Sequence, residues 1–403
     1  MRLYLWVPVR GQWQVAARLE WSRDVGSFRY APTWLETSGA YPLDPLNLPL
    51  EDAERAIEDN KGIPGVLSDA GPDRWGRRLI ERLAQRPPKD EAEWALASAG
   101  SGSGAVRASL SRTSLAPVRT PYTQVTLEQL EEASRTLAEG GFPPPPMYEI
   151  LCVQSGALGG ARPKATMAVD GREVIAKFQQ PQHDTVDVPK VEAACLALAR
   201  RAGIDVINAT LVSVHARSVL LVDRFDRKGG EPVHYLSARS LLNVYRASEQ
   251  DTVAPAGRAT YAAMAAAARR IGVEDAGPEL FRRLAFNYAI GNTDDHLQNH
   301  GFLFDGTWRL APAFDLVAQG GENLAIGAGR QGRSRTRENV LSGAGDFGIK
   351  PQEAEALLEQ AIQAARGLGD ELDRHAMPAG ERAQVLQKVC TEAQPYVAPP
   401  VGM

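Results

Sequence analysis

The sequence predicts a two-lobed α+β fold in which a β-rich half is followed by a mostly helical half. Residues 1–120 combine short apolar alternations with turns, as strands do. From residue 154 a glycine-containing turn, two strands and a helix follow one another, and residues 205–225 add two more strands. After residue 235 apolar residues recur mainly at helical spacing. The chain has 403 residues, enough for one large two-lobed fold or for two or three domains.

The composition excludes several classes of protein. With 44% hydrophobic residues and a net charge of −4, the chain is not disordered as a whole. A pI of 6.0 argues against a protein that binds nucleic acid on its own. The 3 cysteines form no CxxC motif, which excludes a disulfide framework and favours a reducing compartment. No apolar stretch approaches the ~18 residues of a membrane helix, so we expect a cytoplasmic protein without membrane contact.

Local patterns predict the elements of the first half. LYLWVPV and WQVAARLEW flank Arg10-Gly11-Gln12 and predict a β-hairpin. Residues 73–86 have the periodicity of an amphipathic basic helix, and AVRASLS after the glycines at 100–104 predicts a strand. Residues 126–129 (TLEQ) have the spacing of a capping box, which predicts a helix over residues 126–137. The prolines at 143–146 predict a stiff linker.

Local patterns also predict the helices and strands of the second half. After the strand REVIAKFQ come the helix VEAACLALARRAGI and the strands VINATLVSV and SVLLVDRF. ATYAAMAAAARRIG and LFRRLAFNYAIG predict helices, and GFLFDGTWRLAPAFD predicts a hairpin with Asp305-Gly306 as a type I′ turn. Helices are also predicted over 352–365 and 380–394. The resulting domain boundaries are 1–120, 121–230 and 231–403.

Residues 290–315, IGNTDDHLQNHGFLFDGTWRLAPAFD, carry the strongest chemical signal. Phosphoryl transfer needs a carboxylate that orients or deprotonates the acceptor hydroxyl, and oxygen ligands for Mg²⁺. Asp294 and Asn299 lie in a polar loop after a helix, and the hairpin is expected to bring Asp315 back near Asn299. Taken singly, residues of these types more often form turns and caps. The three together favour phosphoryl transfer.

The first half can supply the phosphate-binding groups. Gly159 to Lys164, between two strands, could lay backbone N–H groups over phosphates, although such turns are common. Lys177 lies inside an apolar strand, where a charge needs a partner, and Glu192 on the next helix could be that partner. An outward-facing lysine on an edge strand is the equally open alternative. The strand VLLV leads into residues 223–227, a hinge whose backbone could meet an adenine edge.

The order GGARPK, IAK, a helix glutamate, VDRFDR, IGNTDDHLQN and AFD resembles the HipA family of serine/threonine protein kinases, the toxins of HipBA-type toxin–antitoxin modules. FRYAPTWL and GVLSDAGPDRWGRRLI resemble the extra N-terminal subdomain of that family. The resemblance implies a protein-kinase-like fold with ATP and Mg²⁺ as cofactors. It also implies a helix-turn-helix antitoxin as partner, operator DNA bound mainly through that antitoxin, and a protein substrate such as an aminoacyl-tRNA synthetase.

The resemblance also assigns residues. Asp294 matches the catalytic aspartate, and Asn299 and Asp315 match the magnesium ligands. Lys177 matches the lysine that holds the α- and β-phosphates, with Glu192 as its helix partner. The remaining nucleotide-binding positions are Gly159, Gly160, Ala161, Arg162, Pro163 and Lys164 in the glycine loop, Asp223, Arg224 and Phe225 in the hinge, and His296, Leu297, Gln298, Asn299 and Phe314 around the catalytic loop.

Two positions depart from the pattern of the family. Some members carry in the glycine loop a serine whose phosphorylation inactivates the kinase, whereas this chain has Ala157 there and Ser155 two residues upstream. Self-inactivation by that route is therefore not implied. Asp295 stands where some relatives have glycine, which adds a negative charge beside the expected base.

Three other features invite different interpretations. Asp346-Phe347-Gly348 spells a kinase metal motif but lies 52 residues after Asp294 (346 minus 294), so we interpret it as a glycine-terminated helix end. His296 and His300 have the spacing of zinc ligands on one helix face but lack the glutamate of HExxH. The Gly- and Arg-rich residues 318–337 predict either a mobile activation loop or a disordered basic surface loop.

A rival function belongs to another class. The chain could be a catalytically silent co-repressor that binds its antitoxin and operator DNA without transferring phosphate. A charge of −4 does not exclude this, because the partner could make most of the phosphate contacts. The presence of Lys177, Asp294, Asn299 and Asp315 together favours an active enzyme.

Overall fold

The computed structural model of the protein describes residues 1–84, 86–97, 102–116, 125–144, 147, 150–151, 162–180 and 184–389. Its strands are β1 (Arg2–Val9), β2 (Gln12–Ser22), β3 (Val25–Tyr30), β4 (Arg55–Ile57), β5 (Arg107–Ser109), β6 (Lys164–Val169), β7 (Arg172–Phe178), β8 (Ala209–Val214), β9 (Arg217–Asp223), β10 (Arg227–Lys228), β11 (Glu231–Pro232), β12 (His234–Ser237), β13 (Gly301–Phe304) and β14 (Trp308–Leu310).

The α-helices of the described residues are α1 (Pro32–Leu35), α2 (Gly65–Asp69), α3 (Arg74–Leu83), α4 (Glu91–Ala97), α5 (Leu127–Ala138), α6 (Val188–Arg201), α7 (Ala238–Leu241), α8 (Tyr261–Arg270), α9 (Ala276–Ile290), α10 (Arg337–Ser342), α11 (Pro351–Ala365), α12 (Leu368–Arg374) and α13 (Ala379–Val389). Short 3₁₀ helices cover Asn60–Gly62, Gln250–Thr252, Leu297–Asn299 and Ala344–Phe347. Within the described ranges, no helix is both long and apolar enough to cross a membrane.

The chain divides into two compact units. Unit 1 contains the described residues within Met1–Gln180, Asp223–Tyr245 and Gly301–Trp308. Unit 2 contains those within Pro181–Val222, Arg246–His300 and Arg309–Met403. The three-part division expected from the sequence is a different partition of the chain and stays a prediction.

Unit 1 is built on a five-stranded antiparallel sheet with the order β4-β3-β2-β1-β5. Leu3, Leu5 and Val7 alternate along β1 and are buried, so one face of the strand points into the core. The predicted hairpin of β1 and β2 is confirmed. Its turn residues Arg10 and Gly11 both have positive φ, 49° and 75°, as a type I′ turn requires.

A second hairpin of unit 1 carries the two candidate lysines. β6 and β7 pair antiparallel through Asp170 and Gly171, whose φ values of 49° and 76° again fit a type I′ turn. The helix predicted over 126–137 is also confirmed as α5. Its capping box is complete, because the side chains of Thr126 and Gln129 each accept a hydrogen bond from the backbone N–H of the other.

Unit 2 is organised around α9. Nearly every residue of this helix is buried, which is the pattern of a helix surrounded by protein, and it packs against α8 and α11. Gly277 allows the close approach of another segment, since a Cβ there would lie 2.1 Å from the carbonyl oxygen of Phe347. The helix α6, the strand β8 and the strand β9 as far as Val222 belong to the same unit.

Two local predictions are wrong. Three residues, 305–307, separate β13 from β14, and of Asp305 and Gly306 only Gly306 has a positive φ (113°), so the turn is not of type I′. Residues 318–337 are not a disordered surface loop, because Leu324, Ile326 and Ala328 are buried. The alternative of a mobile activation loop stays a prediction.

Candidate active site

The polar loop after α9 forms a compact turn. α9 ends at Gly291, which takes the left-handed conformation (φ 64°) that commonly stops a helix. The backbone N–H of His296 donates to the carbonyl of Asp294 (2.9 Å), and that of Asn299 donates to the carbonyl of His296 (2.8 Å). These bonds hold residues 294–299 in one backbone conformation.

The carboxylate of Asp294 is exposed, and it makes no hydrogen bond or ion pair with any residue that the structure describes. The side chain of Asn299 is buried beneath it, and its Nδ2 donates to the Asp294 carbonyl oxygen at 3.1 Å. The amide is thereby oriented, and within the described chain its Oδ1 accepts no hydrogen bond. A free carboxylate thus lies five residues before a fixed amide oxygen.

Asp315 belongs to the same unit and has a constrained backbone. Its φ is 60°, a conformation that residues other than glycine adopt uncommonly. The segment before it is fixed, because the N–H of Ala313 donates to Asp205 (2.8 Å) and the carbonyl of Ala313 accepts from Ile207 (3.1 Å). Asn292 Nδ2 reaches the carbonyl oxygen of Asp315 at 3.5 Å, so the polar loop after α9 and Asp315 are in contact.

These residues fit a divalent cation bound through oxygen. Mg²⁺ is held in proteins by a few carboxylate or amide oxygens together with phosphate oxygens. Asn299 offers an oriented amide oxygen, and Asp315 offers a carboxylate in the same unit. The buried Oδ1 of Asn292, beside Asp315, also lacks a hydrogen-bond partner within the described residues. The predicted proximity of the Asn299 and Asp315 side chains stays a prediction.

Asp295, adjacent in sequence, points the other way. Its side chain is buried, and it accepts hydrogen bonds from the hydroxyl of Tyr261, from Asn287 Nδ2 (2.7 Å) and from His300 Nε2 (3.0 Å). The extra negative charge noted in the sequence is therefore enclosed by protein donors. The carboxylate of Asp295 is therefore not exposed next to that of Asp294.

The zinc interpretation of the two histidines is not supported. His296 precedes a 3₁₀ turn and His300 follows it with extended backbone, so they do not share one α-helix face. His300 contacts Asp295, and within the described ranges no three His, Cys, Asp or Glu side chains cluster as metal ligands.

The Asp346-Phe347-Gly348 tripeptide is a glycine-terminated helix end, as predicted. A 3₁₀ helix stops at Gly348 in the left-handed conformation (φ 76°). The ring of Phe347 packs on Phe281 with centroids 5.3 Å apart, and Asp346 pairs with Arg330.

In unit 1, Lys164 and Lys177 are directly opposite each other on β6 and β7, which places their side chains on the same face. Lys177 is half-buried, and Lys164 is buried. The ammonium of Lys164 pairs with Asp73 at 2.8 Å, and both side chains are about one-twentieth exposed (4% and 5%). Asp73 also caps α3 by accepting from the N–H of Gly76 (2.7 Å). The charge of Lys164 is thus neutralised by the N-terminal part of the chain.

The three residues predicted to form the hinge differ in environment. Asp223 makes a partly exposed ion pair with Arg172 (2.9 Å), and Phe225 is half-buried. The guanidinium of Arg224 is buried and donates to Asp226 and to the carbonyl of Gly102, so this side chain is engaged in structure.

The structure describes some of the other predicted positions but not all of them. Glu192 is the fifth residue of α6 and is buried, as are Leu297 and Phe314, whereas Gln298 is half-buried. Arg162 is half-buried, and the carbonyl of Pro163 accepts from the N–H of Phe178. Gly159, Gly160 and Ala161 lie outside the described residues, as do Ser155 and Ala157. Their assigned roles stay predictions.

Sequence reasoning missed Asn287, Tyr261 and Asp73. A signal existed for Asn287, because it interrupts the otherwise apolar LAFNYAI of a helix, where a buried amide requires a partner. Tyr261 opens an alanine-rich helix and gives no comparable sign. Asp73 was recognisable as a helix cap, but its pairing with Lys164, 91 residues away, was not.

Two family matches cover most of the chain. Residues 8–109 match the HipA N-terminal domain, and residues 156–368 match the HipA-like C-terminal domain. The chain belongs to the HipA family. The HipA chain in the complex of Shewanella oneidensis MR-1 HipA, HipB and operator DNA has the same fold, with a TM-score of 0.68 and 17% identity over 98% of this chain and 97% of that one. The kinase-like α+β fold class predicted from the sequence is thereby confirmed.

Two curated relatives of this HipA-family chain come from Sinorhizobium fredii. "Putative kinase Y4dM" is 29% identical over 37% of this chain, and "Putative kinase Y4mE" is 25% identical over 43%. The matches span 38% and 45% of those two proteins, less than half of each.

Proposed function

We propose that this HipA-family chain is an ATP- and Mg²⁺-dependent serine/threonine protein kinase and acts as the toxin of a HipBA-like toxin–antitoxin system. The observation that carries the proposal is the geometry around Asp294. Its carboxylate is exposed and unbonded within the described chain, while the loop beneath it is fixed by its own hydrogen bonds and by Asn299. A structural aspartate would be expected to cap or pair with a neighbour, whereas a base must be open to its substrate.

Each residue has a distinct task in this proposal. Asp294 accepts a hydrogen bond from the substrate hydroxyl and takes its proton as the oxygen attacks the γ-phosphorus. ADP leaves as the bond between the γ-phosphorus and the bridging oxygen breaks. Asn299 and Asp315 would hold Mg²⁺, which neutralises charge on the phosphates when bound. Lys177 would hold the α- and β-phosphates, with Glu192 orienting it.

The substrate and the partner are proposed from the family resemblance. We expect a protein substrate involved in translation, such as an aminoacyl-tRNA synthetase, and a HipB-like helix-turn-helix antitoxin. The structurally similar Shewanella HipA is found with HipB and operator DNA. With a net charge of −4, this chain would contact operator DNA mainly through the antitoxin.

A labelling experiment tests the catalytic assignment. Purified wild type, Asp294→Ala and Asp346→Ala are each incubated with γ-labelled ATP, Mg²⁺ and a cell lysate. Asp346 is the matched control, since it lies in a kinase-like tripeptide but forms a surface ion pair. Label is expected on a discrete protein with the wild type and the control, and not with Asp294→Ala. Full transfer by Asp294→Ala would refute the assignment.

A binding experiment tests the metal ligands separately. Asp315→Ala is expected to lose the increase in nucleotide affinity that Mg²⁺ produces, while affinity without Mg²⁺ stays unchanged. The measurement is calorimetric titration with ATP in the presence and absence of Mg²⁺. If the wild type binds nucleotide and antitoxin but transfers no phosphate to any lysate protein, the co-repressor function is favoured instead.

A further inference from the structure

Asp295 is an acid of the catalytic loop that faces the protein interior. Its side chain is only 2% exposed, whereas that of the preceding residue, Asp294, is exposed. A buried carboxylate is costly unless donors surround it, so a chain that retains one here must hold it in a fixed arrangement.

The donors to Asp295 form a closed set. The Tyr261 hydroxyl donates to Oδ2 of Asp295, and Asn287 Nδ2 donates both to the same oxygen (2.7 Å) and to the Tyr261 hydroxyl oxygen (2.9 Å). His300 Nε2 lies 3.0 Å from that oxygen and donates to it when Nε2 carries the proton. Tyr261 lies on α8, Asn287 on α9 and His300 just before β13. One oxygen therefore ties the loop to two separate helices and to His300 at the end of the loop itself.

The same network extends toward the expected metal ligand. The Oδ1 of Asn287 accepts from Asn292 Nδ2 at 3.1 Å, and this Nδ2 reaches the carbonyl oxygen of Asp315 at 3.5 Å. Asn287, Asn292 and Asp295 are each at most 2% exposed, so water does not compete for these bonds. A displacement of Asp295 would reach both Asp294 and Asp315.

We propose that Asp295 is a positioning residue that, through the network of Tyr261, Asn287 and His300, holds Asp294 pointing outward for phosphoryl transfer. This inference rests on the proposed kinase function. Asp295 does not touch the reacting atoms. Because its side chain is anchored inward, the backbone it shares with Asp294 is fixed, and the neighbouring carboxylate is directed to the surface.

The test compares Asp295→Ala, Asp295→Asn and the surface control Asp346→Ala below their unfolding temperatures. Asp295→Ala removes the acceptor, and a displaced catalytic group can cost about 100-fold, so kcat is expected to fall ~10- to 100-fold with KM for ATP little changed. Asp295→Asn keeps one acceptor oxygen and is expected to recover kcat to within about fivefold of the wild type. A purely structural role would lower the unfolding temperature without separating kcat from KM.

A second measurement does not depend on activity. Amide hydrogen exchange of His296 and Asn299, whose N–H groups close the loop, is expected to accelerate in Asp295→Ala and not in the control. If Asp295→Ala does not fold, Tyr261→Phe removes one donor while leaving the acid, and a smaller fall in kcat with unchanged KM is expected.

Specific results would overturn the inference. One is that folded Asp295→Ala shows unchanged kcat and unchanged amide exchange. The other is that Asp295→Ala and Asp295→Asn lose kcat equally, because the effect would then come from the lost charge and not from the lost hydrogen-bond acceptor. A wild type that transfers no phosphate would refute the proposed function instead. The exchange data would then still decide whether Asp295 anchors the loop.

Discussion

Replacing Asp73 by asparagine isolates the energetic contribution of a buried charge pair. The asparagine keeps a side-chain oxygen that can accept from the N–H of Gly76, and asparagine caps helices as well as aspartate does. What the substitution removes is the negative charge 2.8 Å from the ammonium of Lys164. Because both side chains are almost fully buried, water cannot replace the lost partner.

The magnitude follows from that burial. Removing one member of a buried ion pair typically costs about 3–5 kcal/mol, because the remaining charge loses its opposite charge in a poorly solvating environment. Domains are usually stable by only about 5–15 kcal/mol, so this is a large fraction of the total. Burial raises the pKa of Asp73, although Lys164 and the N–H of Gly76 act in the opposite direction. The attraction between Asp73 and Lys164 therefore offsets only part of the free energy needed to bury the carboxylate. Removing both charges should lower the free energy of unfolding less than removing one.

The assay is urea unfolding of the wild type, Asp73→Asn, Lys164→Met and the double variant, monitored by tryptophan fluorescence. Trp75, whose Nε1 donates to the carbonyl of Lys164, reports on this contact. The free energy of unfolding is expected to be lowest for Asp73→Asn and higher for the double variant. A cost below about 1 kcal/mol for Asp73→Asn, or a double variant less stable than Asp73→Asn, would refute the reasoning.

Three further predictions concern stability. Burial lowers the pKa of His234 from 6.5 to about 4 against the effect of its hydrogen bond to Leu43, so below pH 6.5 the unfolded chain binds a proton that the folded chain excludes. A pKa shift is worth about 1.4 kcal/mol per unit, so lowering the pH from 6.5 to 4 should reduce the free energy of unfolding of the wild type by about 3 kcal/mol more than that of His234→Phe, as measured by urea unfolding. Parallel plots of unfolding free energy against pH for the two proteins would contradict this. Thr126→Ala removes one half of the capping box and should cost about 1 kcal/mol in chemical unfolding, and an unchanged midpoint would show that the cap adds nothing. Gly277→Ala places a Cβ 2.1 Å from a backbone oxygen and should cost about 1–3 kcal/mol, whereas Gly380→Ala, on α13 with open space around it, should not destabilise in the same melting experiment.

Most features that depend on neighbours in sequence were predictable, although the turn type at Asp305-Gly306 was predicted wrongly. The hairpin turn at Arg10-Gly11 and the capping box at Thr126 need only particular residues at adjacent or nearby positions, since they are set by local backbone angles and short-range hydrogen bonds. The helix end at Gly348 follows from the freedom of glycine to adopt a positive φ. Asp294, Asn299 and Asp315 could be selected from the sequence as candidates, because their residue types are those that phosphoryl transfer requires. Their assembly into one site stays a prediction.

Features that depend on distant partners were decided only by the tertiary structure. Nothing local shows that Lys164 pairs with Asp73, or that of two adjacent aspartates Asp294 faces out and Asp295 faces in. That choice is made by Tyr261 on α8, Asn287 on α9 and His300, the residue after the 3₁₀ turn, which all bond to Asp295 within unit 2.

The Gly- and Arg-rich residues 318–337 also show that composition alone does not reveal contacts with distant residues. Their composition suggested a mobile or disordered loop, but the buried guanidinium of Arg335 donates to the carbonyls of Tyr288, Gly321 and Val389. An arginine can satisfy several backbone carbonyls at once, which lets this charged side chain pack inside the protein. Composition and spacing therefore indicate which chemistry can be proposed for the chain and where several of its turns and helix ends lie. Packing determines which side chains are exposed to carry it out, because burial and pairing energies depend on groups far apart in sequence.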